Sequence, residues 1–102
     1  MTLQIIEEEG SGTVTAVLSG RLDTASSAQF AVDMLPLMEN ADRHIVLDCR
    51  ELAYVASSGL RQLLTLRKHT IVMGGDVTLC NVKPEVKQVF AIAGFSSLFI
   101  FD

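Results

Sequence analysis

The six residues HIVLDC, positions 44–49, constrain the fold of this chain most. A nearly continuous apolar run of this kind is the signature of a central strand covered on both faces, so the flanking sequence must supply the covering layers. Upstream, Phe30, Met34, Leu37, Met38 and Ala41 recur at helix-like spacing and mark one apolar face. Pro36 interrupts that pattern. An interior helical proline removes a hydrogen bond and clashes with the preceding turn at a cost of ~3 kcal/mol, so a kink or break is predicted there. Downstream, RELAYVA (50–56) reads as a turn, after which Leu60, Leu63, Leu64 and Ile71 line a second helix ending near Gly74-Gly75. Pro84 suits the first position of a third helix, with Val86, Val89, Phe90 and Ala93 facing inward and Gly94 as the stop.

The remaining segments read as short strands. QIIEE (4–8) and TVTAVLS (13–19) are joined by Gly10-Ser11-Gly12, a hairpin-turn composition, and Val14, Ala16 and Leu18 share one face. Gly20 to Asp23 is predicted to end this pairing, and Asp23 or Thr24 to cap the helix that follows. DVTLCNV (76–82) and LFIF (98–101) complete the set. The order β-β-α-β-α-β-α-β implies an α/β fold, a mixed sheet whose later strands run parallel through right-handed crossovers with helices packed against it. At 102 residues, one domain spanning 1–102 is expected.

Composition narrows the function classes. A formal charge of −4 with no basic stripe disfavours nucleic acid, whose phosphates are bound through Lys and Arg. No apolar run approaches the ~18 residues that cross a bilayer, so no membrane insertion is expected. The opening MTLQIIEEEG places three glutamates where a signal peptide needs a basic segment and a longer apolar one, which predicts a cytoplasmic protein. Cys49 and Cys80 stand in predicted strands without CxxC spacing, as reduced, packed thiols. His44 and His69 lack ligand spacing, so no metal or other cofactor is expected. Neither a Gly-x-Ser-x-Gly elbow nor a GxxxxGK[ST] loop is present, and the chain is not expected to be an enzyme.

What chemistry remains lies in YVASSGLRQLL (54–64), where Ser57 and Ser58 precede Gly59 and a leucine-rich run. Two readings stand side by side. A hydroxyl at a helix start can accept a hydrogen bond from an unpaired backbone N–H and serve as a cap. The same place carries partial positive charge and free donors, so an added phosphate can be accommodated while the surface charge changes by about −1.5 to −2.

LSGRLDT (18–24), IVLDC (45–49), YVASSGLRQLL and GGDVTLCNVKPEVKQVFAIAGF (74–95) occur in an order and at spacings that cover nearly the whole chain. Together they resemble the STAS domain family, in particular bacterial anti-sigma factor antagonists. The resemblance implies a small α/β domain that binds an anti-sigma factor, often itself a serine kinase, and so frees a sigma factor. It places the regulatory phosphorylation on Ser57, with Ser58 as second choice and local cap, and a serine phosphatase as the enzyme that resets the site. Asp23 matches the family acid of the Gly-x-Leu-Asp segment, and the implied partner surface comprises Asp23, Ser57, Ser58, Gly59, Leu60 and Arg61. Arg61 and Arg67 also read as plain solvated charges. Asp48 matches a common family acid or amide, and its own context favours holding a turn by hydrogen bonds. Classical members carry Asp before the serine pair, where this chain has Ala56. A constitutive, unphosphorylated STAS subunit of a transport-associated complex, such as the small subunit packed on a lipid-transporting ATPase, is the alternative role.

Overall fold

The computed structural model describes residues 1–7 and 12–102. Five strands and four helices follow one another: β1 (Thr2–Glu7), β2 (Thr13–Leu22), α1 (Thr24–Asp33), α2 (Leu35–Glu39), β3 (His44–Val55), α3 (Ser57–Met73), β4 (Asp76–Cys80), α4 (Pro84–Ile92) and β5 (Ile100–Phe101). The sheet order is β1-β2-β3-β4-β5, the order of the chain itself. β1 runs antiparallel to β2. The pairs β2–β3, β3–β4 and β4–β5 are parallel. This is the expected mixed α/β sheet. The predicted Gly10-Ser11-Gly12 turn lies largely outside the described residues.

Alternation along the strands decides where the helices sit. Val14, Ala16, Leu18, Ile45, Leu47, Cys49, Val77 and Leu79 are buried on one face, in a single apolar cluster with Phe30, Leu37, Leu60, Leu63, Leu66, Val86 and Phe90 from all four helices. The intervening Thr15, Val17, Val46 and Asp48 are only half-buried. The helical layer therefore covers one face of the sheet, and the expectation that HIVLDC is covered on both is corrected. Its apolar content comes from Val46 lying between two core residues, not from a second layer.

Pro36 breaks the first helical region as predicted. α1 ends at Asp33, Met34 caps both segments, and Pro36 sits in the first turn of α2, where a missing N–H is harmless. RELAYVA is not a turn: β3 continues through it to Val55, and β2 continues to Leu22 instead of ending at Gly20. Register shifts between Val17 and Ser19 and between Gly20 and Arg21 bend the paired strands and disrupt the simple alternation there. On α3 the buried face runs through Gly59, Leu60, Leu63, Leu66 and Thr70. Leu64 is half-buried and Ile71 is 59% exposed, one position past Thr70 and off the core-facing stripe. Ala93, also assigned inward from sequence, is the exposed C-cap of α4.

Candidate functional site

β2 and β3 run parallel, so both deliver their C-terminal ends to one side of the sheet, and each is followed there by a helix. Leu22 pairs with Val55 at the last rung. The Ala56 N–H donates to the Leu22 carbonyl at 2.8 Å, tying the entry of α3 to the entry of α1. Gly59 tightens the junction: a Cβ built on it would fall 2.5 Å from Leu22 Cγ and 2.7 Å from Leu22 Cδ2. Glycine is what lets α3 lie this close to β2. Leu22, Asp23 and residues 56–59 are thus brought together from segments more than thirty positions apart.

The two helix starts differ. Asp23 is the N-cap of α1: the Ser26 N–H donates to Asp23 Oδ1 at 3.0 Å, and the Asp23 N–H donates to Ser26 Oγ at 3.0 Å, completing a reciprocal capping box. The backbone and side-chain hydrogen bonds from Ser26, outweighing partial desolvation and helped by the Arg21 charge, hold the Asp23 carboxyl below the usual range. At α3 the N-cap is Ala56, and no side chain bonds to the free donors of the first turn. The hydroxyl cap expected from the serine pair is corrected. The cap position falls one residue earlier than the sequence suggests, on a residue with no acceptor.

Ser57 and Ser58 occupy the first two positions of α3 and have opposite environments. Ser57 is exposed. Ser58 Oγ is buried and has no hydrogen-bond partner among the described residues, so it is neither a cap nor an accessible acceptor for modification. Gly59 and Leu60 are buried, with Leu60 only 2% exposed, so both support the surface from beneath. Arg61 is exposed one turn beyond Ser57. Arg67 lies farther along the same helix, beside a shallow groove of about 230 Å³ at the other end of the fold, lined also by Ile71, Ser97 and Ile100.

Asp48 Oδ1 accepts from the Arg50 N–H and from Asn81 Nδ2, each at 3.1 Å, which is the turn-holding role the sequence favoured. Cys49 and Cys80 are both free. Burial, with smaller contributions from Cys80 and Asp48, pushes the Cys49 thiol up to about 12, and burial also raises Cys80, so neither is an activated thiol. His44 pairs with Asp76 across β3 and β4, and no group of three or more His, Cys, Asp or Glu suited to a metal ion occurs among the described residues. No helix there is long and apolar enough to cross a membrane.

Arg21 and Tyr54 also belong to this end and were not singled out from sequence. They are register partners on β2 and β3, and the Arg21 guanidinium carbon lies 4.4 Å from the centre of the Tyr54 ring. The available signal was an arginine two positions before the capping aspartate in a strand, which places both on the same side of the chain.

The cap yields a pH prediction. A carboxyl whose pKa is depressed on folding contributes stability above its unfolded value and loses it as pH falls through the folded one. Asp23→Ala is therefore expected to lower the urea midpoint at neutral pH, and the gap from the unsubstituted chain is expected to narrow in acid, below the ordinary aspartate value of 3.8, without closing, because the protonated carboxyl keeps a capping oxygen. Asp23→Asn, which keeps a capping oxygen, is expected to recover most of the loss at neutral pH.

Comparison with known proteins agrees with this architecture. The STAS domain pattern matches residues 4–102. BtrV of Bordetella bronchiseptica, a protein named for anti-sigma factor antagonism, is 35% identical over 88 residues, covering 86% of this chain and 76% of its own. The anti-sigma F factor antagonist of Paenibacillus polymyxa is 33% identical over 104 residues, covering 100% of this chain and 89% of its own. The fold is similar to that of the anti-sigma factor antagonist SpoIIAA in its unphosphorylated form, with a TM-score of 0.75 at 22% identity over 99% of this chain and 88% of that one. In its phosphorylated form SpoIIAA, a Bacillus cell fate determinant, gives a TM-score of 0.69 at 22% identity over 99% of this chain and 91% of that one. With the pattern spanning nearly every residue and the strand and helix order in agreement, the chain belongs to the STAS domain family.

Proposed function

We propose that this chain is an anti-sigma factor antagonist: a cytoplasmic protein-binding module that, with Ser57 unmodified, docks the start of α3 and the Asp23 corner onto an anti-sigma factor and so frees a sigma factor. The names of its relatives support the general role. The observation that carries the reading for this chain is an exposed hydroxyl, Ser57, on the first turn of a helix whose cap has no side-chain acceptor. A serine kinase, the anti-sigma factor itself, transfers the terminal phosphoryl group of its own ATP to Ser57 Oγ, and a serine phosphatase removes it. ATP and Mg²⁺ belong to the kinase.

The free first-turn N–H groups receive the phosphate without unfolding α3, and Arg61, one turn on and C-terminal to it, adds a favourable charge. Ala56 places no carboxylate immediately before the phosphate in sequence. The new charge then acts outward. Against a partner carboxylate at ~5 Å it is repelled by about 1 to 5 kcal/mol for effective dielectric constants between ~80 and ~20. Roughly 2.7 kcal/mol is a hundredfold loss of affinity.

Calorimetric titration of the purified anti-sigma factor of the same organism tests this. Ser57→Asp is expected to weaken binding at least about tenfold, since its single charge is smaller than a phosphate's, while Ser57→Ala binds like the unsubstituted chain and all three share one far-ultraviolet spectrum. Binding by Ser57→Asp and by the phosphorylated chain as tight as that of the unsubstituted chain would replace the switch with a constitutive docking module.

A further inference from the structure

Arg21 is held in an arrangement that the phosphoserine switch does not use. Its guanidinium lies over the Tyr54 ring, 4.4 Å from the ring centre. Arg21 Nε stands 4.0 Å from Asp23 Oδ2, with the two side chains 62% and 37% exposed. Tyr54 itself is 38% exposed. These contacts engage one nitrogen and one face of the plane, and the two terminal nitrogens make no hydrogen bond among the described residues. Asp23 neutralises them only in part, because its Oδ1 is committed to the Ser26 N–H.

A guanidinium stacked on an aromatic face is ordered before any partner arrives, so less side-chain entropy is lost when its fork engages a planar anion. The surrounding protein is acidic, with a net charge of −4, so this cation contrasts with the global field. It is also continuous with the proposed docking surface. Arg21 and Tyr54 are the register pair next to Leu22 and Val55, and the Leu22 carbonyl receives the Ala56 N–H at the entry of α3.

We propose that Arg21, laid over Tyr54, is the partner-selecting contact of this surface and receives a carboxylate of the anti-sigma factor. This rests on the function proposed above and adds the chemistry of the surface it selects. The occupant is an Asp or Glu side chain on the partner, gripped by two N–H groups of the fork at the rim of the interface.

The test is stopped-flow association of the full chain with the purified anti-sigma factor at low and at high salt. Rim charges act mainly on the association rate. Arg21→Glu is expected to slow association about tenfold or more at low salt, Arg21→Gln roughly threefold, and Tyr54→Leu, which keeps the charge, by less than Arg21→Gln, with the differences of the two Arg21 variants shrinking as salt screens them. Reversing the contacted carboxylate on the partner to Arg is expected to restore association with Arg21→Glu. Association unchanged in both Arg21 variants, or slowed equally at all salt concentrations, overturns the proposal. If Ser57→Asp loses binding while the Arg21 variants keep it, the switch stands and only this contact falls. If the unsubstituted chain does not bind, both readings fall together.

Discussion

Phe90→Ala is expected to remove about 3–5 kcal/mol of folding stability, the range for deleting a fully buried aromatic side chain. Phe90 is completely buried on α4 and forms edge-to-face pairs with Phe99 at 5.4 Å and Phe101 at 5.5 Å. Each such pair is worth about 0.5–1.5 kcal/mol beyond the area it buries. β5 has only two residues, and Phe101 is one of them, so the substitution also loosens the edge strand. Against a total of ~5–15 kcal/mol for a native domain, the loss is a large fraction. Urea denaturation followed by circular dichroism is the measurement, and a loss below about 1 kcal/mol would contradict the packing described. Because Phe90 lies on α4 and takes no part in the Ser57 corner, the folded fraction is expected to bind its partner with unchanged affinity.

Gly75→Ala is expected to cost about 3 kcal/mol, at the upper end of overpacking penalties, for a different reason. A Cβ at this position would lie 2.2 Å from the Arg43 carbonyl oxygen, 2.3 Å from the Ala41 carbonyl oxygen and 2.9 Å from the Arg43 nitrogen. All three are backbone atoms, so no rotamer change relieves the clash. Relief requires moving the α2–β3 connection or the start of β4, and the Asp76 N–H donates to that same Arg43 carbonyl at 3.2 Å. The expected result is a lower urea midpoint together with faster amide exchange at Asp76 and Val77. An alanine variant as stable as the unsubstituted chain would mean that the connection is not packed this tightly.

Sequence resolved the elements whose signals are local. Pro36 and Pro84 mark helix starts because the constraint resides in the residue itself. The Leu60 and Leu63 part of the α3 stripe and the stop at Gly74 were legible for the same reason, whereas Ile71, read as part of that stripe, lies exposed. The second half of β3 was not, because Arg50 and Glu51 interrupt the apolar alternation and the register shifts of its partner β2 are a property of two strands together. Ser57 and Asp23 were recognised as a pair from the family resemblance. That Ser57 is exposed while Ser58 Oγ is buried without a partner depends on how α3 leans against Leu22, and adjacent serines look alike in a sequence. Arg21 and Tyr54 escaped for the reason β3 did: their contact exists only once two strands more than thirty residues apart are placed in register.

The strand order of the sheet, identical to the order along the chain, bears on how the protein is made. As the polypeptide leaves the ribosome, each new strand finds the one it must pair with already synthesised and waiting at the growing edge, and no slot has to be held open for a segment still to come. Synthesis proceeds at about 5–20 residues per second, and a domain generally folds as a unit. The corner where α1 and α3 begin, with Arg21 and Arg61 beside it, is drawn from residues 21–61, so all of the docking surface has been synthesised before β4, α4 and β5 are translated. The later elements then complete the single apolar cluster to which Val77, Leu79, Val86 and Phe90 belong.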